Sequence, residues 1–444
     1  MAQIVLPDNF IQLIQPVVDN ELDAFLNALS SEPVTSIRIN PHRGDKGLYD
    51  ALPHVPWCES GRYLEVRPRF TSDPLFHAGA YYVQEASSMF LHQALSQCVD
   101  PHSIVLDMCA APGGKSTLIS SYLADDALLV SNEYVPQRAH ILVENLAKWG
   151  SHRCVVTNND TRHFSCLSGV FDAVCVDAPC SGEGMFRKEP KALTEWSLNN
   201  VEMCVERQRE ILANAWNALR PGGTLIYSTC TYNTKENEEN VRWLITEFGA
   251  EYRTLKVSDN WNIVVTEYGY RFMPHHTIGE GLFLSVVVKP ATERVSTPNI
   301  KLPKRMPVRR DEILRWLSHS EDFESVVYEN SVYALPRKHL ALILYIKANL
   351  NVMSMGVNTA IIKGHDLIPQ QQLALSTSIN MDAFAKVDIN EQTAIAYLKT
   401  EAIQLYDAPR GFILLTYHSI PLGWVKNVGN RCNNLYPTAW RIRF

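Results

Sequence analysis

The stretch VLDMCAAPGGKSTLI, residues 105–119, joins an apolar strand to the start of a helix through a turn of small residues. Cys109, Ala110, Ala111, Pro112, Gly113, Gly114 and Lys115 make that turn. Small side chains let the backbone approach a ligand closely, and a helix N-terminus offers unpaired N–H groups to it. Two common nucleotide-binding loops do not match. A phosphate-binding G-x-x-x-x-G-K-[ST] loop needs glycine where Cys109 stands, and the dinucleotide pattern G-x-G-x-x-G is absent.

Outward from this turn, short apolar segments alternate with amphipathic ones. The predicted strands are SIVLDMC (103–109), ALLVSNE (127–133), CVVTNND (154–160), FDAVCVDA (171–178) and GGTLIYST (222–229). Helical spacing falls between them, near 114–124, 135–149, 196–219 and 235–248. In the third helix Ile211, Leu212, Ala215, Trp216 and Leu219 share an apolar face, with Arg207, Arg209 and Glu210 on the other side. RPGG (220–223) is read as stopping that helix before the next strand. This alternation predicts an α/β fold with a doubly wound parallel sheet and helices on both faces.

Ligands of such sheets sit at the C-terminal ends of the strands. Glu133 ends the second strand, placed to accept ribose hydroxyls, and Asp160 ends the third, where an adenine amino group would lie. A nucleoside cofactor without a phosphate tail is expected, and S-adenosylmethionine fits.

Two cysteines also follow strands: Cys180 in VDAPCSGEGMFRK (176–188) and Cys230 in YSTCTYNTKENEENV (227–241). A single buried cysteine is ordinarily a small hydrophobe. Two at the ligand end of one sheet suit covalent catalysis, in which a thiolate adds to carbon 6 of cytosine and makes carbon 5 nucleophilic toward a methyl group. Asp177 lies three residues before Cys180 and could contact the cofactor or the base, and Lys188 could lend positive charge to a thiolate or to an RNA phosphate.

The segments DMCAAPGGKS, NEY, DAPCSGEG and YSTCTYNTKENE resemble successive motifs of the Sun/nucleolar-protein family of RNA cytosine-C5 methyltransferases. RFMPHHTIGEGLFLSVVVK (271–289) looks like that family's closing strands, and SIRINP and YYVQEASSM look like its N-terminal extension. The resemblance implies a Rossmann-like class I methyltransferase domain. It makes Cys230 the nucleophile and gives Cys180 a part in proton removal or enzyme release. It assigns S-adenosylmethionine to Cys109–Lys115, Glu133, Asp160 and Asp177. Both thiols are present, whereas DNA cytosine methyltransferases take their nucleophile from the Pro-Cys motif and lack the second, so RNA is the expected substrate.

Residues 397–444 resemble the PUA-like tail of ribosomal small-subunit methyltransferase F type enzymes, and about 305–370 the module joining it to the catalytic domain. One departure stands in that tail, Cys432-Asn433-Asn434 where the family carries a basic Leu-Lys-Asn, although Lys426, Arg431, Arg441 and Arg443 are near. The expected division is 1–95 (RNA-recognition extension), 96–291 (methyltransferase), 302–372 (linking module) and 373–444 (PUA-like). Within that class 16S ribosomal RNA is the expected substrate and transfer RNA the runner-up. A catalytically silent RNA-binding assembly factor is the rival from another class, and intact Cys230 and glycine turn speak against it.

Bulk properties agree with this outline. The chain has 444 residues, 46% apolar and 20% charged, which calls for two or three soluble domains. No apolar run spans a membrane, no secretory signal is legible, and ten cysteines without a C-x-x-C pair suit a reducing cytoplasm and no metal ligand set. No obligate protein partner is evident. The net charge of −6 divides into −11 for residues 1–290 and +5 for 291–444, with five basic residues in KLPKRMPVRR (301–310). Phosphate attraction is therefore expected mostly from the C-terminal part.

Overall fold

The structure is a computed structural model describing residues 6–43, 47–405 and 407–443, so the first five residues of the amino-terminal stretch read above lie outside it. Two helices, Asp8–Val18 and Leu22–Leu29, precede an antiparallel sheet of order β2-β3-β1-β4. Its strands are β1 (Thr35–Ile39), β2 (His54–Val55), β3 (Cys58–Leu64) and β4 (Tyr81–Val83). β1, the core of SIRINP, is buried along its whole length because its two faces meet different neighbours. Ile37 joins an apolar cluster with C-terminal residues. Arg38 points the other way, donates to Thr117 Oγ1 at 2.5 Å and Gln84 Oε1 at 2.7 Å, and stacks 4.4 Å from the Trp149 ring centre.

The central sheet holds β5 (Ile104–Asp107), β6 (Leu128–Asn132), β7 (Cys154–Thr157), β8 (Phe171–Asp177) and β9 (Leu219–Thr229), all parallel. After β9 come β10 (Glu251–Tyr252), β11 (Val264–Val265), β12 (Tyr270–Phe272) and β13 (Leu282–Val288), the last antiparallel to β9. The strands are near-continuous apolar runs because helices cover both sheet faces. Those helices, Gly114–Tyr122, Pro136–Trp149, Leu198–Ala218 and Glu238–Phe248, lie where the sequence places them. The third begins two residues later than its spacing predicts, because Ser197 is an extended N-cap whose hydroxyl accepts the Asn200 N–H. RPGG does not separate it from the next strand: β9 starts at Leu219 and carries those residues itself.

The expected boundary at residue 291 is crossed by hydrogen bonds. β14 (Phe323–Tyr328) and β15 (Ser331–Pro336) belong to another sheet, but β16 (Val352–Met355) pairs antiparallel with β7, Val352 opposite Thr157. The catalytic sheet thus has ten strands, in order β11-β12-β13-β9-β8-β5-β6-β7-β16, with β10 beside β13. A last four-stranded sheet, Ala385–Asp388, Gly411–Tyr417, Ile420–Asn427 and Cys432–Asn434, shares one core with the N-terminal unit. There Ile37, Phe70, Ala78 and Tyr81 pack with Ile413, Leu415, Leu422 and Ile442. Among the described residues no helix is long and apolar enough to cross a membrane.

Close backbone approach welds the N-terminal unit to the catalytic one. Gly79 has φ +71°, and a Cβ there would lie 1.8 Å from the Lys148 carbonyl oxygen. The basic stretch 301–310 is partly neutralised. Arg309 pairs with Asp311 and Glu324, and Arg310 with Glu312, which leaves exposed Lys301, Lys304 and Arg305 as its outward charge.

Removing residues 291–444 would strip β16 from β7 and bare the shared N-terminal core. The truncated chain is expected to aggregate in size-exclusion chromatography rather than persist as a monomer that has only lost RNA affinity. Gly79→Ala should likewise lower the unfolding free energy sharply, by on the order of 2–4 kcal/mol in denaturant titration.

Candidate active site

Chain order reverses between β5 and β8: β5, β6 and β7 step one way, β8 and β9 the other. Loops leaving such a pair diverge and open a crevice. That crevice is a cavity of about 720 Å³ whose lining includes Cys109, Ala111, Glu133, Asp160, Asp177, Cys180 and Cys230. Its size suits a nucleoside-sized ligand with part of a second substrate.

The glycine turn is held by hydrogen bonds from neighbouring elements. Ala110 donates its N–H to the Asn132 carbonyl (2.8 Å), while Arg138 Nη2 donates to the Ala111 carbonyl (2.6 Å) and Asn145 Nδ2 to that of Pro112 (2.7 Å). Gly113 takes φ +117°, which L side chains rarely adopt, and caps the helix that Gly114 opens. Ala110, Pro112, Gly113 and Gly114 therefore shape the turn, while Cys109 and Ala111 meet the cavity.

Glu133 is buried, with Oε1 accepting the Val135 N–H at 2.8 Å and Oε2 3.7 Å from Arg138 Nη1. Asp160 lines the same space but is engaged by Arg162, at 3.0 Å from Nε and 2.8 Å from Nη2, which holds its pKa down at about 2. Asp107, which ends β5, is fully buried. It accepts from Ser116 Oγ at 2.6 Å while its Oδ1 has no hydrogen-bond partner, and burial pushes its pKa up to about 7. An acid ending an otherwise apolar strand was the available signal.

The two thiols meet. β8 and β9 pair with Asp177 opposite Ser228, so their following loops leave side by side. Cys180 Sγ and Cys230 Sγ lie 3.1 Å apart, and the Cys230 N–H donates to Cys180 Sγ at 3.3 Å. The hydrogen bond to Cys230, with burial second, raises the Cys180 pKa well above that of an ordinary thiol. Cys180 therefore stays a protonated thiol in contact with the Cys230 sulfur. Cys109, the third thiol in the cavity, is raised too, by burial and then by the charges of Asp107, Glu133 and Asp177.

The expected cation does not arrive. Lys188 Nζ sits 3.2 Å from Glu280 Oε1, sharing that carboxylate with Arg187, because the chain after Cys180 turns toward the β12–β13 loop. Lys115 takes the place beside the sulfurs, its Nζ 2.7 Å from Asp177 Oδ1, which also accepts from Ser228 Oγ at 2.8 Å. Burial opposes the Lys115 charge, but Asp177 and the Cys230 sulfur more than offset this and its pKa is raised. Sequence periodicity also missed Arg207 and Glu210, which line the cavity from the polar face of their helix, and exposed Tyr134, next to Glu133.

Comparison with known proteins gives three family-model matches along the chain. They are the 16S rRNA methyltransferase RsmB/F model over residues 95–288, the N-terminal domain of 16S rRNA methyltransferase RsmF over 6–86, and the methyltransferase RsmF PUA domain over 384–442. The chain is 30% identical to a Ribosomal RNA small subunit methyltransferase F of Shewanella woodyi, covering 94% of this chain and 92% of the relative. It is also 30% identical to the protein of that name from Cronobacter sakazakii, over 98% and 97%. Among solved structures, a methyltransferase homolog protein from Pyrococcus horikoshii superposes with TM-score 0.56 at 25% identity, over 64% of this chain and 95% of that one.

Asp107 supplies a pH signature. Its pKa is 3.8 for an ordinary aspartate and about 7 in the fold, so between these values the folded protein keeps a proton that the unfolded chain has released. Stability contributed by this group must then fall as pH rises from about 4 to 7. Urea unfolding at pH 5 and pH 8 is expected to show a smaller loss for Asp107→Asn than for the unaltered protein.

Proposed function

The chain belongs to the ribosomal RNA small subunit methyltransferase F family, and from that premise we propose that it methylates carbon 5 of a cytosine in 16S ribosomal RNA, with S-adenosylmethionine as donor and Cys230 as covalent nucleophile. The observation that carries this reading is the contact between Cys180 and Cys230 in the cavity that Glu133 and Asp160 also line.

The residues present fit the cofactor. The turn from half-buried Cys109 to buried Ala110 and Ala111, the buried carboxylate of Glu133 and the Asp107 oxygen without a partner offer a small-residue cradle and acceptors at the tips of β5 and β6. Bound there, S-adenosylmethionine would supply an electrophilic methyl group. Cys109–Lys115, Glu133, Asp160 and Asp177 are the residues assigned to hold it. For Asp160 that requires Arg162 to swing aside or to serve as its hydrogen-bonded extension.

On the protein side, the Cys180 thiol touches the Cys230 sulfur, and the Lys115 ammonium stands in the same site, paired with Asp177. Addition of that sulfur to carbon 6 forms a C–S bond and sends the ring electrons to carbon 5, which then takes the methyl group. The Lys115–Asp177 pair is placed to polarise the base during addition. Loss of the carbon-5 proton to water at the cavity mouth lets the C–S bond break. The departing Cys230 sulfur regains the hydrogen bond from Cys180, which is how the second thiol serves release. A paired or stacked target base must first be extruded into the site. Residues 1–95 and 373–444, whose cores merge, are assigned the RNA-holding role around the catalytic unit 96–291, with 302–372 linking them.

Two variants test the division of labour. Cys230→Ala is expected to abolish both methyl transfer and any covalent RNA adduct. Cys180→Ala should leave adduct formation intact while slowing release, so that a denaturation-resistant RNA–protein band accumulates. Exchange of these two phenotypes would reject the assignment. Bisulfite sequencing of RNA treated with the unaltered protein identifies the modified base, and modification of transfer RNA with untouched 16S RNA would reject the substrate.

A further inference from the structure

Away from the cleft, the loop between β12 and β13 reads MPHHTIGEG, residues 273–281, and it meets the short turn Asp19–Glu21 that joins the first two helices. His276 Nε2 lies 2.9 Å from Glu21 Oε2, and His275 Nε2 lies 3.4 Å from the same oxygen. One ligand atom from each of the three residues falls within 4.8 Å of the others, a grouping found nowhere else among the described residues.

His275 is the unexplained member. Its side chain is only 5% exposed, yet neither ring nitrogen makes a hydrogen bond. Its ring packs edge-on against Phe25, centres 5.6 Å apart, and 4.1 Å from the His276 ring. A buried imidazole whose polar atoms go unanswered is costly. The Glu21 oxygen that its Nε2 approaches already accepts from His276.

We propose that Glu21, His275 and His276 form a binding site for a divalent transition-metal ion, with zinc the best fit. Two imidazole nitrogens and one carboxylate oxygen are a common zinc donor set. Donors about 2.1 Å from a tetrahedral ion lie roughly 3.4 Å from one another, so the spacing on hand needs little rearrangement. Three protein ligands leave a position for water on the side of half-exposed Glu21. The ion would join segments 255 residues apart, which is why no ligand-spacing motif announces it.

The role that follows is a fastener. The same loop continues to Glu280, which holds Arg187 and Lys188, and Arg187 in turn donates to the Ala28 carbonyl at 3.2 Å. A metal on Glu21 and the two histidines would fix the N-terminal helix pair against the β12–β13 loop, which through Glu280 and Arg187 braces the loop that carries Cys180. It takes no part in the methyl transfer and stands apart from the functional reading above.

The test uses the tag-free, full-length protein, stripped with a chelator and titrated with Zn²⁺ by calorimetry and with Co²⁺ by visible absorption. One equivalent per chain is expected, with a cobalt spectrum of nitrogen and oxygen ligation and a higher melting temperature in zinc. Glu21→Gln and His276→Ala should each weaken binding by about tenfold or more and abolish the zinc-dependent rise in melting temperature. Absence of stoichiometric uptake by the unaltered chain would overturn the proposal without any variant. Uptake that survives both substitutions, or a cobalt spectrum with intense thiolate-to-metal bands, would place the ion on the cysteines and overturn it equally.

Discussion

Two buried carboxylates hold the catalytic loops in register. Glu183, in the loop after β8, accepts the backbone N–H groups of Tyr232 (2.8 Å) and Asn233 (3.0 Å) from the loop after β9, together with Asn233 Nδ2 and Trp196 Nε1. Glu236 answers in the other direction, accepting the Ser181 N–H at 3.0 Å, with Gln208 Nε2 and Asn233 Nδ2 completing its shell. Each carboxylate therefore binds the loop opposite its own. Both are buried, so these bonds compete with little water, and unpairing either would strand several donors at once. Ser181 and Thr231, the residues after the two cysteines, are tied as well, oxygen to oxygen at 2.9 Å. The 3.1 Å approach of the sulfurs is the outcome of this cross-linking, and it survives only while the network is complete.

The same logic of mutual support runs through the larger architecture. The N-terminal unit has little core of its own; it borrows from the C-terminal sheet on one face and from the catalytic helices on the other. Arg38 carries a charge into that second contact with no carboxylate bonded to it, satisfied by Gln84, Thr117 and Gly114 oxygens and by the Trp149 ring. Because Thr117 and Gly114 belong to the helix that begins at the glycine turn, the position of the N-terminal unit and the shape of the ligand cradle are mechanically joined.

Much of this was legible because apolar runs and strand-tip residues are local signals. The five parallel strands, the four helices, the glycine turn and both cysteines could be read from segments of ten or fifteen residues. What escaped reading depends on partners far along the chain. Glu183 and Glu236 look like ordinary loop acids in CSGEG and TKENE, and only the pairing of β8 with β9 buries them together. Lys188 looks close to Cys180 along the sequence, but the turn after Met185 carries it to Glu280, whereas Lys115, far off in sequence, arrives through the β5 loop. Arg207 and Glu210 sit on a polar helix face that periodicity assigns to solvent, and the cavity happens to open there. β16 is a four-residue strand after a helix, and nothing in its letters says which sheet it will complete.

The placement of β16 also bears on how the chain is made. β7 is finished at Thr157, and the strand that covers its open edge begins at Val352, 195 residues later. At a synthesis rate of about 5–20 residues per second, that edge waits roughly 10–40 s on the ribosome before its partner is even translated. Nascent chains of this protein thus pass through a prolonged stage in which a nearly complete sheet offers unpaired amides to any neighbouring strand, which makes them natural clients for chaperones that shield extended segments during translation.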